Sequence, residues 1–269
     1  MLSLSLCNHK KTLKPLNTLP IDGLSLACRY AYPPNSLSLC GPEKQSELSW
    51  YSQTFETDNG SKEILQQFNT LYPYLCFIAG ENNRKNPFRH DIVEAYWIGN
   101  NLLKATNSFR FMNFIDATPN ISKKTQKKTV TAIKQKICIG ALPHHAFHVL
   151  NMYNRTGNLN AVHTVQTMDA CIINAGEIIT IAQDHIIVET KPLQRINGVL
   201  IFGKTMHRKL HFQTEKDLII PSLSVNDWVT YHWGYVCQKV SLAQRRNLSF
   251  YTNKALQFAQ YEQNNFNYR

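Results

Sequence analysis

Val225-Asn226-Asp227-Trp228-Val229-Thr230-Tyr231-His232-Trp233-Gly234-Tyr235-Val236-Cys237 is the stretch on which the reading of this chain turns. Asn226-Asp227 is a turn signal, and the β-branched and aromatic run after it predicts a strand entered from a tight loop. Side chains alternate along a strand, so Trp228, Thr230 and His232 share one side and Val229, Tyr231 and Trp233 the other. His232 then stands near the strand's end, where a side chain can leave the sheet wall. Its expected companion is an earlier Cys-led strand, Cys171-Ile172-Ile173-Asn174-Ala175-Gly176-Glu177-Ile178.

The surrounding sequence has the same period. Runs at 172–181, 186–189, 199–202, 210–213 and 228–233, with an Asn197-Gly198 hairpin turn, predict five short strands closed into a small OB-like β-barrel. Ser241-Leu242-Ala243-Gln244 is a capping box, and Leu248, Tyr251, Ala255 and Phe258 fall on one face of a closing C-terminal helix.

Upstream the period is helical. Ile64, Leu65, Phe68 and Leu71 recur at one-face spacing within 46–79, where Pro73 is expected to interrupt the pattern. Asp91 and Glu94 read as a capping pair opening a helix to about Leu103. Residues 1–25 read as an irregular leader. Pro33-Pro34 and Gly41-Pro42 predict a rigid, non-regular segment over 28–42 that carries Tyr32 and Cys40. Asn154-Arg155-Thr156-Gly157-Asn158-Leu159-Asn160 is the best linker. The fold class expected is α+β: a mainly α-helical N-terminal domain (1–158), followed by a small OB-like β-barrel with a C-terminal helix (159–269).

Composition narrows the function. With 269 residues, 43% hydrophobic and 17% charged, the chain has ample material for a packed core. The seven cysteines are odd in number, scattered and without Cys-x-x-Cys spacing, which points away from a disulfide framework and toward the cytoplasm. No run approaches the ~20 apolar residues of a membrane span. The formal charge is +11, and six lysines lie between Ser122 and Lys136 with no acid; such a helix can meet nucleic acid or an acidic partner, or simply face solvent. Pro143-His144-His145-Ala146-Phe147-His148 places His144 and His148 four apart, the helical spacing that lets two imidazoles reach one ion. His145 lies between them, and Cys40, Cys138 and Tyr32 are candidate completing groups.

The C-terminal part, about 168–260, resembles the HypC/HupF family of [NiFe]-hydrogenase maturation chaperones. Two features carry the likeness in order: Cys171 to Ile178, and Asn226-Asp227-Trp228-Val229-Thr230-Tyr231-His232-Trp233-Gly234-Tyr235. The family's cysteine follows its initiator Met, whereas Cys171 is internal, with Asp169 nearby to raise its thiol pKa; Ala175 replaces the family's proline. The resemblance implies that Cys171 is a ligand to iron carrying CO and cyanide, that His232 is its neighbour, and that Trp228 and Tyr235 belong to the partner-binding surface. It also implies a hydrogenase large subunit or a HypD-like maturation protein as partner. The N-terminal segments 29–35, 93–100 and 143–149 resemble an uncharacterised bacterial domain family associated with hydrogenase gene neighbourhoods.

Three functions are therefore weighed. The first is a maturation factor that holds or transfers an iron centre through Cys171, which suits the lack of a phosphate loop or nucleophile elbow. The second is a metal-dependent enzyme, with iron or another transition metal at His144, His145 and His148. The third, ranked last, is a nucleic-acid-binding OB protein that stacks bases on its aromatics.

Overall fold

A computed structural model describes residues 22–266 apart from 55, 124, 153–156, 159–161 and 213–222. The leader up to residue 21, most of the 154–160 linker and the end of the 210–213 run lie outside the described residues. The helical part comprises α1 (Gly23–Ser36), α2 (Gln45–Thr54), α3 (Asn59–Gln66), α4 (Leu71–Glu81), α5 (His90–Trp97), a 3-10 helix (Asn101–Ala105), α6 (Ser108–Ala117), α7 (Pro119–Ser122), α8 (Lys127–Cys138), α9 (His145–Asn151) and α10 (Val165–Cys171). The strands are β1 (Asn174–Ile181), β2 (His185–Thr190), β3 (Leu193–Ile196), β4 (Val199–Phe202), β5 (Met206–His211), β6 (Trp228–His232) and β7 (Tyr235–Lys239), followed by α11 (Leu242–Phe266).

The strands β1-β2-β5-β7-β6 close a barrel, with β1 paired to β6 and one parallel pair, β5–β7. This is the order of an OB-like barrel. Ile178, Ile186, Val188, Leu210, Val229 and Tyr231 are buried as its filling. One of the five expected strands needs correction, and one strand of the barrel was not expected. The 199–202 run is in the sheet sense a strand, but it forms a separate hairpin with β3 around Asn197-Gly198, whose φ values of 50 and 83° are those of a primed turn. Its place in the barrel is taken by β7, joined to β6 by a second positive-φ pair, Trp233-Gly234.

The 28–42 segment is corrected as well, because most of its first part is helix. Asp22 caps α1 through the Leu24 and Ser25 amides, and nearly every residue of α1 is buried. It is buried on all sides, Arg29 and Asn35 included, because α1 runs between the helical layer and the outer face of β6 and β7. Pro33 and Pro34 fall in its last turns, so they remove amide donors there without preventing the helix. Pro73 likewise does not interrupt α4, since it occupies the first turn, where an amide has no helical partner. α5 begins at His90 with Arg89 as N-cap. Asp91 binds Arg89 and the Ile92 amide, and Glu94 accepts from Asn100 and Gln244 rather than capping.

The capping box at Ser241 and Gln244 forms as expected. The helix it opens reaches beyond the barrel, however: α11 packs on α9, with Asn151 donating to the Ala255 carbonyl and Tyr251 to the Asn100 carbonyl. Buried residues of both halves belong to one continuous cluster. The lysine-rich segment is only partly a solvated face, since Lys136 is buried and Lys134 pairs with Asp116.

The contact between Gly99 and Tyr251 gives a test of this closure. Gly99 has φ +91°, and a Cβ there would meet the Tyr251 ring at 2.0 Å, whereas Gly234 has φ +82° with open space around it. Gly234→Ala should cost about 1–2 kcal/mol of left-handed strain alone. Gly99→Ala should add about 1–3 kcal/mol of overpacking to that. Urea unfolding midpoints of the two variants measure the difference.

Candidate metal centre at the helix–barrel junction

Cys171 does not lead a strand. It is the last residue of α10, whose start is fixed by a Thr164–Thr167 capping box, and β1 begins only at Asn174. The 233–234 turn is tied to this helix end, because the Trp233 amide donates to the Ala170 carbonyl at 2.8 Å. One hydrogen bond thus joins the residue after His232 to the residue before Cys171. Asp169 points its carboxylate elsewhere, onto the Arg208 guanidinium at 2.6 Å and the Leu193 amide at 2.7 Å.

His232 is oriented from α1. Pro34 has no amide hydrogen to give to the carbonyl four residues back, that of Tyr30. His232 Nδ1 supplies the missing donor at 2.8 Å. Because a carbonyl only accepts, Nδ1 carries the proton and Nε2 presents its lone pair. Nε2 is buried and makes no hydrogen bond of good geometry, although the Cys171 carbonyl lies close enough to act on the ring. A metal-ligating histidine is commonly fixed in this way, through a carbonyl on its second nitrogen.

The third group is His145, at the start of α9. Its Nε2 donates to the Cys171 carbonyl at 2.8 Å, and its Nδ1 accepts from the Tyr96 hydroxyl at 3.2 Å. Trp97 packs against both imidazoles, with ring centroids 4.5 Å from His145 and 5.6 Å from His232. The ligand atoms of His145, Cys171 and His232 all lie within 4.8 Å of one another. A tetrahedral ion asks for about 3.5 Å between nitrogen and sulfur ligands, so the three need draw in by at most about an ångström, with His145 giving up one of its present bonds.

Burial keeps these imidazoles neutral. It lowers His232 to about 4, against the opposing carbonyls of Tyr30 and Cys171, and holds His145 well below its ordinary value, with His232 adding to the effect. A neutral imidazole has a lone pair to offer without first losing a proton.

The histidine-rich segment divides its side chains among different neighbours. His144 is the N-cap of α9, accepting from the Ala146 amide, and stacks on Tyr251. His148 bonds Tyr74 and stands edge-on to it. Only His145 joins the cluster, although His148 and Cys40 line the same cavity of about 80 Å³, as does His163, which the sequence reading missed. Tyr32 packs edge-on against Tyr235, which also meets His211. Trp228 is covered by the Arg245 guanidinium at 4.0 Å. Cys138 is exposed beside Met112, on α8.

His148 allows a pH test. Burial lowers it to about 3, with nearby His163 contributing, while in the unfolded chain it titrates near 6.5. Between those values the unfolded state binds the extra proton, so stability present above pH 6.5 is lost as pH falls toward 3. From pH 7 to pH 5 this one group should cost about 2 kcal/mol. His148→Asn, which keeps a polar atom for Tyr74, should lose correspondingly less over the same interval, as read by urea midpoints at the two pH values.

No curated protein and no solved structure matches the chain. Among the described residues no helix is long and apolar enough to cross a membrane. A family model does match residues 20–265, running from just before α1 into α11 and across both halves. The chain belongs to that family, a family of unknown function (DUF6390).

Proposed function

We propose that this protein is a metal-binding accessory factor that holds a transition-metal centre, in the first instance iron, between Cys171, His232 and His145 for delivery to a client metalloenzyme. The observation that carries the reading is the buried Nε2 of His232, left without a hydrogen bond of good geometry while Nδ1 is locked to Tyr30, beside a thiol and a second imidazole. One thiolate and two imidazoles form a soft to borderline donor set, suited to iron, zinc or copper and poorly suited to magnesium or calcium.

The likeness to the HypC/HupF chaperones supplies the cargo, iron with CO and cyanide ligands, and the partners, a hydrogenase large subunit or a HypD-like maturation protein. Such ligands make the iron a stable, transferable building block. The chain's own contribution is to bind it: the imidazoles arrive neutral, and Trp97 packs against both. Trp228 and Tyr235 lie on or beside the barrel hairpin, where a partner would approach.

Protein purified anaerobically from its own host should contain a transition metal at close to one per chain, with infrared bands of metal-bound CO and cyanide. Cys171→Ala and His232→Ala should each lower the metal content at least about tenfold. Metal retained in full by both variants would overturn the assignment to this cluster, and metal without the infrared bands would overturn the cargo.

A further inference from the structure

We infer that Cys40 is a fourth protein ligand of this centre, supplying the second thiolate of a two-sulfur, two-nitrogen site; the inference rests on the metal-binding reading above. The cavity beside the cluster is walled by Cys40, His148 and His163 as well as by His145, Cys171 and His232, and no Asp, Glu, Lys or Arg lines it among the described residues. A divalent ion that brings no anionic ligand of its own, held by one thiolate and neutral imidazoles, keeps a net positive charge. In a buried space without a counter-charge that is costly. A second thiolate removes the charge, and Cys40 is the other thiol on the wall.

The position of Cys40 is built. Asn35, fully buried, donates to the carbonyls of Cys40 and Pro42 at 2.9 and 2.8 Å. Asn158 holds the same loop from the other side, through its amide to Leu39 and its side chain to Gly41. Gly157 approaches so closely that a Cβ there would stand 2.6 Å from Cys40 Sγ and 2.3 Å from the Leu39 carbonyl. Ser38 and Gly41 turn the loop with φ of 55 and 81°. Cys40 stands outside the 4.8 Å spacing of the other three ligands, so binding draws its side chain inward, and its thiol proton leaves to solvent as the metal–sulfur bond forms.

Cobalt(II) added anaerobically to the metal-free full-length chain tests this, since thiolate-to-cobalt absorption grows with each sulfur bound. Wild type should show the intensity of two thiolates. Cys40→Ala should show about half, bind cobalt at least about tenfold more weakly and accept azide at the vacated position, whereas Cys138→Ala should match wild type. X-ray absorption of the cobalt-loaded wild type gives the sulfur count without any substitution, and two sulfurs are expected. One sulfur, or a Cys40→Ala variant with undiminished absorption and affinity, would overturn the role of Cys40 and leave the three-residue centre standing. No thiolate absorption in wild type would overturn both.

Discussion

The carbonyl of Tyr30 lacks the helical donor that Pro34 does not have, and the rest of the junction depends on how that lack is met. His232, at the end of a barrel strand 202 residues away, donates to it. An unsatisfied buried carbonyl would cost about 1–3 kcal/mol, so α1 and β6 hold each other in register. The same bond selects the tautomer of His232 and leaves its other nitrogen as a lone pair in the interior. Structure and site therefore share one cause. The Tyr30 hydroxyl adds a second link to the same strand, pairing with Thr230 at 2.7 Å.

This arrangement makes the two halves one unit despite their different periods. α1 lies against the barrel's outer face, α11 leaves the barrel to pack on α9, and α10 carries Cys171 to the hairpin turn. The residues facing outward from β6, Thr230 and His232, are buried as fully as those facing inward. An OB-like barrel standing alone would expose that face to water. Here the helical layer covers it, which explains a strand with hardly a polar, solvent-facing position.

Much of this was legible in the sequence, and the failures have physical causes. The β6 run, its alternation and the capping box of α11 were readable because each is set by residues within a few positions. α1 is hidden because Pro33-Pro34 signals a break, whereas in its last turns the two prolines cost at most two amide bonds. α10 was hidden because the apolar pair Ile172-Ile173 extends the strand pattern of β1 backwards onto Cys171. β7 was missed because Trp233-Gly234 falls inside one aromatic run, although a Gly there is itself a turn signal. Cys171 and His232 were found as a pair through their family likeness. His145 could be singled out only together with its neighbours, since the choice among three adjacent histidines is made by Tyr96, Trp97 and the Cys171 carbonyl, far apart in sequence.

A centre assembled from α9, α10 and β6 has a consequence for how it fills. Three elements from both halves must already be packed for its ligands to meet, so an ion that prefers the assembled site also favours the packed junction, by an amount that grows with the logarithm of ion concentration over its dissociation constant. Opening the junction would separate His145 from His232 and weaken the grip on the ion. On the proposed metal-binding reading, retention and release would depend on how firmly the helical layer stays packed on the barrel, and a partner engaging the hairpin at Tyr235 would act on the element that carries His232.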